Sequence, residues 1–335
     1  MDAEIIKKRI EYYDFLRGIA IIMVVGIHTF VSYPMDTTIG YASAFVRQIL
    51  NCAVPIFLAL SGLFCGRKLL DNKQTRMSFW KKQIPKVYIP ALIWSLPYFA
   101  LNVITFNGGG YFVVKQMIMF LTCGFSIYYF IALIIQFYIL LPVLQKYKYI
   151  MMPTSIIVSI STIVLITWLT KMQGLQIPMI MFAGPFVTWF VFFMLGVYYS
   201  SSKINYTVKQ TIAVIVFGFV LECIETYWLN TNYGGGYGIK LSAFIYSAGV
   251  VMLILSPKVK AAYKSSKLTS IIAYIGNISF GVYLIHCFVI KGVNYLLPIH
   301  NWALSWLLVV IITSIVIIAA RKILPHGLNK YLGFS

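Results

Sequence analysis

The sequence predicts an all-α, polytopic integral membrane protein, a helical bundle of about ten transmembrane helices with both termini in the cytoplasm. Three observations carry that expectation. Sixty per cent of the 335 residues are hydrophobic and 10% are charged, against about 25% charged in ordinary soluble domains. Mean hydropathy is +0.85. Apolar runs of spanning length follow one another along the whole chain. A chain so poor in charge cannot cover itself with a wetted surface, which excludes a soluble globular enzyme, and its apolar content excludes disorder. Ten spans of ~20 residues use up the chain. Residues 1–335 therefore read as one transmembrane domain with no soluble extracytoplasmic domain attached.

The runs lie near 15–32, 45–64, 86–104, 127–145, 154–170, 181–199, 209–229, 238–256, 271–290 and 302–321. Lys7, Lys8 and Arg9 precede the first as in a signal sequence. No small-x-small cleavage site follows, so it reads as an uncleaved span. The stretch 111–126 is apolar but interrupted, in keeping with a re-entrant or interfacial helix. No internal repeat is visible.

The net charge of +19 reads as a topology signal rather than a nucleic-acid surface. With the N-terminus inside, alternate loops place 21 Lys and Arg on one side and four (Lys115, Lys171, Lys240 and Lys291) on the other, with Arg17 and Arg47 in or at the ends of spans. The outer loops carry Asp36, the glycine runs 108–110 and 234–236, and Trp228, Tyr233 and Tyr237, which fit an interfacial belt. Cys52, Cys65, Cys123, Cys223 and Cys287 are scattered singly, so the spacing suggests neither a disulfide framework nor a metal site.

Ionisable groups inside a span cost a few kcal/mol each and call for a reason. The first span holds Asp14, Arg17 and His28. Eleven helical steps bring Arg17 and His28 to within ~20° of one direction, ~16 Å apart along the axis. Asp14 sits one turn below Arg17 and can pair with it. A snorkelling pair and a histidine bonded to a neighbouring helix would also explain them. Functionally, arginine suits a phosphate or carboxylate and histidine suits proton abstraction from an alcohol. Glu222 and Glu225 share a face of the seventh span, where they suit acceptor hydroxyls or a pairing with Arg47. Tyr283 and His286 do the same in the ninth, with an interfacial or internally satisfied histidine as the other reading. His300 and His326 lie in or near loops and carry no assignment. The segment GRKLLDNKQTRMSFWKKQIPKVYIP is denser in cations than topology requires and would hold phosphates or anionic headgroups.

YDFLRGIAIIMVVGIH, VPIFLALSGLFCGRKLL, FMLGVYYS and IAYIGNISFGVYLIH, in that order over about 300 residues, resemble the membrane-bound acyltransferase family 3. The resemblance implies transfer of an acyl group, usually acetyl, from cytoplasmic acyl-CoA to an envelope glycan or lipid-linked sugar. It implies His28 as the reactive histidine and Arg17, with Asp14 beside it, on the donor side. Arg17, Arg67, Lys82 and Lys86 are then the expected cofactor-binding residues for acetyl-CoA. Glu222, Glu225, Tyr283 and His286 are the expected acceptor-binding residues. The expected partners are acyl-CoA, the saccharide acceptor and membrane lipids, with no nucleic acid and no metal, in a bacterial cytoplasmic membrane. Oligomeric state stays open. Members often carry Arg-x-x-Arg at the third span, where this chain has Gln83-Ile84-Pro85-Lys86. A transporter of a glycan or small acid would use the same intramembrane charges, and stands as the alternative.

Overall fold

A computed structural model describes residues 11–34, 36–105, 109–202, 206–297 and 301–335. Of the residues weighed above, Lys7, Lys8, Arg9, Gly108, Lys203 and His300 lie outside them. The described residues are mostly helical, with no strand among them. In chain order the helices are α1 (Glu11–His28), α2 (Thr38–Ile49), α3 (Ala53–Gly66), α4 (Lys73–Thr105), α5 (Gly109–Leu121), α6 (Tyr129–Lys146), α7 (Lys148–Thr167) and α8 (Met179–Ala183). There follow α9 (Phe186–Ser201), α10 (Val208–Tyr233), α11 (Leu241–Leu255), α12 (Pro257–Ala262), α13 (Lys267–Asn277), α14 (Ser279–Leu296), α15 (Trp302–Ile323) and α16 (His326–Tyr331).

Eight helical rods among the described residues are long and apolar enough to cross a membrane. The other two expected spans correspond to α1, which carries Glu11, Asp14 and Arg17, and to the shorter α11. The packing is that of a membrane bundle, apolar outward and polar inward. On α10, Ile212, Val216, Val220 and Ile224 recur every four residues and are exposed, while Thr211, Glu222 and Thr226 are buried on the other side.

The helices alternate in direction. At one end, called here the far end, Lys171 reaches the carbonyls of Gly234 (2.8 Å) and Gly235 (2.7 Å), and the Trp302 indole donates to Gly26 (3.0 Å). At the other, basic end, the Tyr12 hydroxyl donates to Ile254 (2.7 Å), Lys260 lies over Tyr13, and the Gln145 amide donates to Gly66 (3.0 Å) and Lys68 (2.9 Å). Each of these contacts joins residues that the loop count assigns to one side.

The structure departs from the expected spans in three places. First, the basic segment expected as a loop is largely helical. It forms the start of α4, whose 33 residues extend ~50 Å, well beyond a ~30 Å hydrocarbon core. Second, the ninth span is broken at Ile278 into α13 and α14. Third, the first span begins and ends earlier than expected, so His28 is the last residue of α1 rather than an interior one. The 111–126 stretch, expected as a re-entrant or interfacial helix, instead runs antiparallel to α4 and leads into α6, which continues to the basic end. The Tyr88 hydroxyl donates to Leu121 (2.7 Å) and the Asn102 amide to Gln116 (3.0 Å), so α5 returns beside α4. The chain then turns within the bundle, with Cys123 (φ 53°) and Ser126 (φ 49°) in the left-handed region. Tyr283 donates its hydroxyl to Ile127 just beyond that turn.

The α1–α13 crossing sets where Arg17 and Asp14 sit. A Cβ on Gly18 would lie 2.0 Å from the Ile272 carbonyl oxygen, and one on Gly276 would lie 1.8 Å from that of Asp14. Only glycine permits this approach, the small-residue packing by which helices associate in lipid. Gly276→Leu is therefore expected to lower stability by ~3 kcal/mol or more, whereas Gly292→Ala, which meets nothing within 4 Å, is neutral or stabilising by ~0.5–1 kcal/mol. Thermal unfolding of the detergent-solubilised protein measures both. Equal midpoints for the two variants would contradict the packing argument.

Candidate active site

Two cavities meet at His28. The first, of about 180 Å³, runs toward the basic end and is walled by Arg17, Ser61, Tyr138, Ser279 and Tyr283 among others. The second, of about 610 Å³, opens toward the far end and is walled by Arg47, Asn51, Lys171, Trp189, Tyr237 and Lys240 among others. Val24, His28, Val54 and Tyr129 line both. The accessible part of the His28 ring thus faces internal cavities. Its position follows from the end of α1. The indoles of Trp302 and Trp306 donate to the carbonyls of Gly26 (3.0 Å) and Ile22 (2.7 Å). The Thr29 hydroxyl donates to that of Val25 (3.0 Å). These donors satisfy carbonyls near the helix terminus and hold the last turn, with its imidazole, against α15.

Arg17 and His28 line one cavity, as their eleven-residue separation predicts. The Arg17 Nη1 donates to Asp14 Oδ1 at 2.9 Å, forming an ion pair at the basic end. Its guanidinium lies 4.8 Å from the Phe64 ring centroid, and Arg67, at the end of α3, lies 5.9 Å from the same centroid. Two of the four expected donor-side cations therefore converge. Lys82 and Lys86 are exposed on α4, and neither lines the cavity. Lys82 instead borders a surface groove with Lys73 and Lys81.

Of the expected acceptor residues, Tyr283 walls the first cavity. His286 is fully buried, with its ring centroid 5.2 Å from that of His28. Its Nδ1 lies 3.0 Å from the Val282 carbonyl and 2.9 Å from that of Tyr283. Carbonyls only accept, so Nδ1 carries the proton and Nε2 keeps its lone pair. Cys287 Sγ lies 3.6 Å from that Nε2. The ligand atoms of His28, His286 and Cys287 all fall within 4.8 Å of one another. A Cys/His group therefore does exist in space, although no spacing along the chain reveals it.

Glu222 and Glu225 line neither cavity. Glu225 accepts from the backbone N–H of Ser242 (3.0 Å) and from its hydroxyl, capping the first turn of α11. Glu222, fully buried, accepts from Asn51 Nδ2 (2.6 Å) and from Lys240 Nζ (3.3 Å). Lys240 also donates to Gln48 (2.7 Å) and to the Gly236 carbonyl (3.0 Å), and Arg47 donates to Asn51 Oδ1 (2.5 Å). The expected Glu222–Arg47 link thus runs through an amide. Gln48 and Asn51 were the unread signal, since with Arg47 they make three polar residues on adjoining turns of an apolar run, which call for buried partners.

An all-helical membrane bundle enclosing a histidine between two chambers defines a multi-pass membrane protein with an internal reaction-sized site. The sequence profile of the acyltransferase 3 family, described as an acyltransferase domain, matches residues 10–321, and the chain belongs to that family: it is a membrane acyltransferase. Neither a curated protein nor a solved structure matches the chain.

The Glu222–Lys240 pair yields a stability prediction. Lys240→Met strands a buried carboxylate and is expected to cost about 3–5 kcal/mol, and adding Glu222→Gln restores part of that loss. Thermal unfolding in detergent measures the cycle. A double variant as unstable as the sum of its parents would show that the pair is uncoupled.

Proposed function

We propose that this chain is an O-acyltransferase of a bacterial cytoplasmic membrane. It moves an acetyl group from cytoplasmic acetyl-CoA to a hydroxyl of an envelope glycan or lipid-linked sugar on the opposite side. The observation that carries this reading is the placement of His28 in the common wall of two cavities leading to opposite ends of the bundle.

The basic end is then the cytoplasmic one, in accord with the lopsided Lys and Arg count. Arg17 and Arg67 hold phosphates of the donor, whose nucleotide is too large for a passage of about 180 Å³. Its flexible arm carries the thioester toward His28. His28 takes the proton of the acceptor hydroxyl as that oxygen attacks the thioester carbon, and returns it to the departing thiolate. In a two-step variant the imidazole carries the acyl group itself. His286, with its Nδ1 proton committed to backbone carbonyls, offers Nε2 toward this chemistry.

The test is acetyl transfer from labelled acetyl-CoA by purified protein. His28→Ala is expected to lose about 10²–10⁴-fold in rate, and Arg17→Ala to raise the KM for acetyl-CoA more than it lowers kcat. Full activity in either variant removes that residue from the mechanism. A glycan exporter would use the same two chambers, but needs no acyl donor. Flux across vesicles without acyl-CoA would favour that alternative.

A further inference from the structure

The two cavities differ in charge balance. In the first, the charge of Arg17 is met by Asp14 at 2.9 Å. The wall of the second carries three cations, Arg47, Lys171 and Lys240, and no carboxylate. Two carboxylates stand behind that wall, Glu222 paired with Lys240 and Glu225 held by the neutral donors of Ser242, so three cations face two anions. Lys171 spends donors on the Gly234 and Gly235 carbonyls, which are neutral and leave its charge uncompensated. Arg47 is only 7% exposed. Among the described residues its guanidinium has one hydrogen bond, to Asn51, and lies 5.9 Å from the Phe30 ring centroid. A guanidinium presents five N–H donors in a planar fork. Glu222 reaches the Arg47 guanidinium only through the Asn51 amide, so the rest of the fork is left to match phosphate or carboxylate oxygens in two-pronged geometry.

The remaining wall suits a saccharide. Trp189 and Phe244 stack with centroids 5.4 Å apart and an interplanar angle of 27°. Both border the cavity, as do the amides of Asn51 and Gln176. Aromatic side chains beside a few polar groups, around a volume of about 610 Å³, match the usual make-up and size of small-molecule sites.

We infer that the acceptor is an anionic saccharide whose phosphate or carboxylate group lies against Arg47, with Lys171 contributing to the same positive field. This deepens the proposed function and rests on its assignment of the far-end cavity to the acceptor.

The experiment offers purified wild-type protein labelled acetyl-CoA with three acceptors of like ring: glucose, glucose 1-phosphate and glucuronate. Consumption of acetyl-CoA without acceptor is followed in parallel. The expected result is that one or both anionic sugars exceed glucose by about 10–100-fold in kcat/KM. The phosphate and carboxylate arms tell the two sources of charge apart. In Arg47→Gln the anionic-to-neutral ratio collapses toward one, and Arg47→Lys keeps part of it. The wild-type ratios need no variant and decide the matter if Arg47→Gln does not fold. Acetyl transfer with equal rates for all three sugars overturns this inference and leaves the proposed function standing. Acetyl-CoA left intact under every condition overturns the reading beneath it.

Discussion

A charge placed among lipid-facing helices must be answered by another polar group, and this requirement organises the interior of the bundle. Asp14 answers Arg17 at the basic end. At the far end Glu222, Lys240, Gln48, Asn51 and Arg47 form a connected network. Between them stands His28, bordered by cavity rather than by a charged partner. Backbone close-packing serves the same arrangement. The glycine crossing of α1 and α13 brings the Arg17 segment against its neighbour, and the tryptophans of α15 hold the turn that ends in His28.

The fold was largely legible because a membrane helix writes its presence into a local run of apolar residues. The ten runs recur as helices, and the interruption in 111–126 corresponds to the turn between α5 and α6. The errors have local causes. Apolar continuity through Ile278 concealed a break that follows Gly276 and Asn277. The density of cations in 73–86 looked like loop, although nothing there except Pro85 strongly opposes a helix.

The site was legible where geometry is local. Arg17 and His28 share one helix, so periodicity alone predicts a shared face. Partners from distant segments leave no such trace. Asn51 meets Glu222 from 171 positions away, and Lys240 meets Gln48 from 192. Glu222 and Glu225 do lie on one helix, but α11 claims the second and the buried network claims the first. Cys287 is one of five singly scattered cysteines in the sequence, and only the fold brings it, with His286, to His28. Lys82 and Lys86, expected beside the donor, are presented by α4 to the surface, outside the cavity that Arg17 lines.

The central claim is that a single imidazole serves both chambers, so that donor and acceptor never need to share a side. Sealed vesicles of one orientation, with acetyl-CoA confined to the face bearing Arg17 and Arg67 and the acceptor confined to the other, test it most directly. The account predicts acetylated product on the acceptor side in wild type and its loss in His28→Ala. Product formed only when both substrates occupy the same face, or formed at full rate without the imidazole, would contradict it.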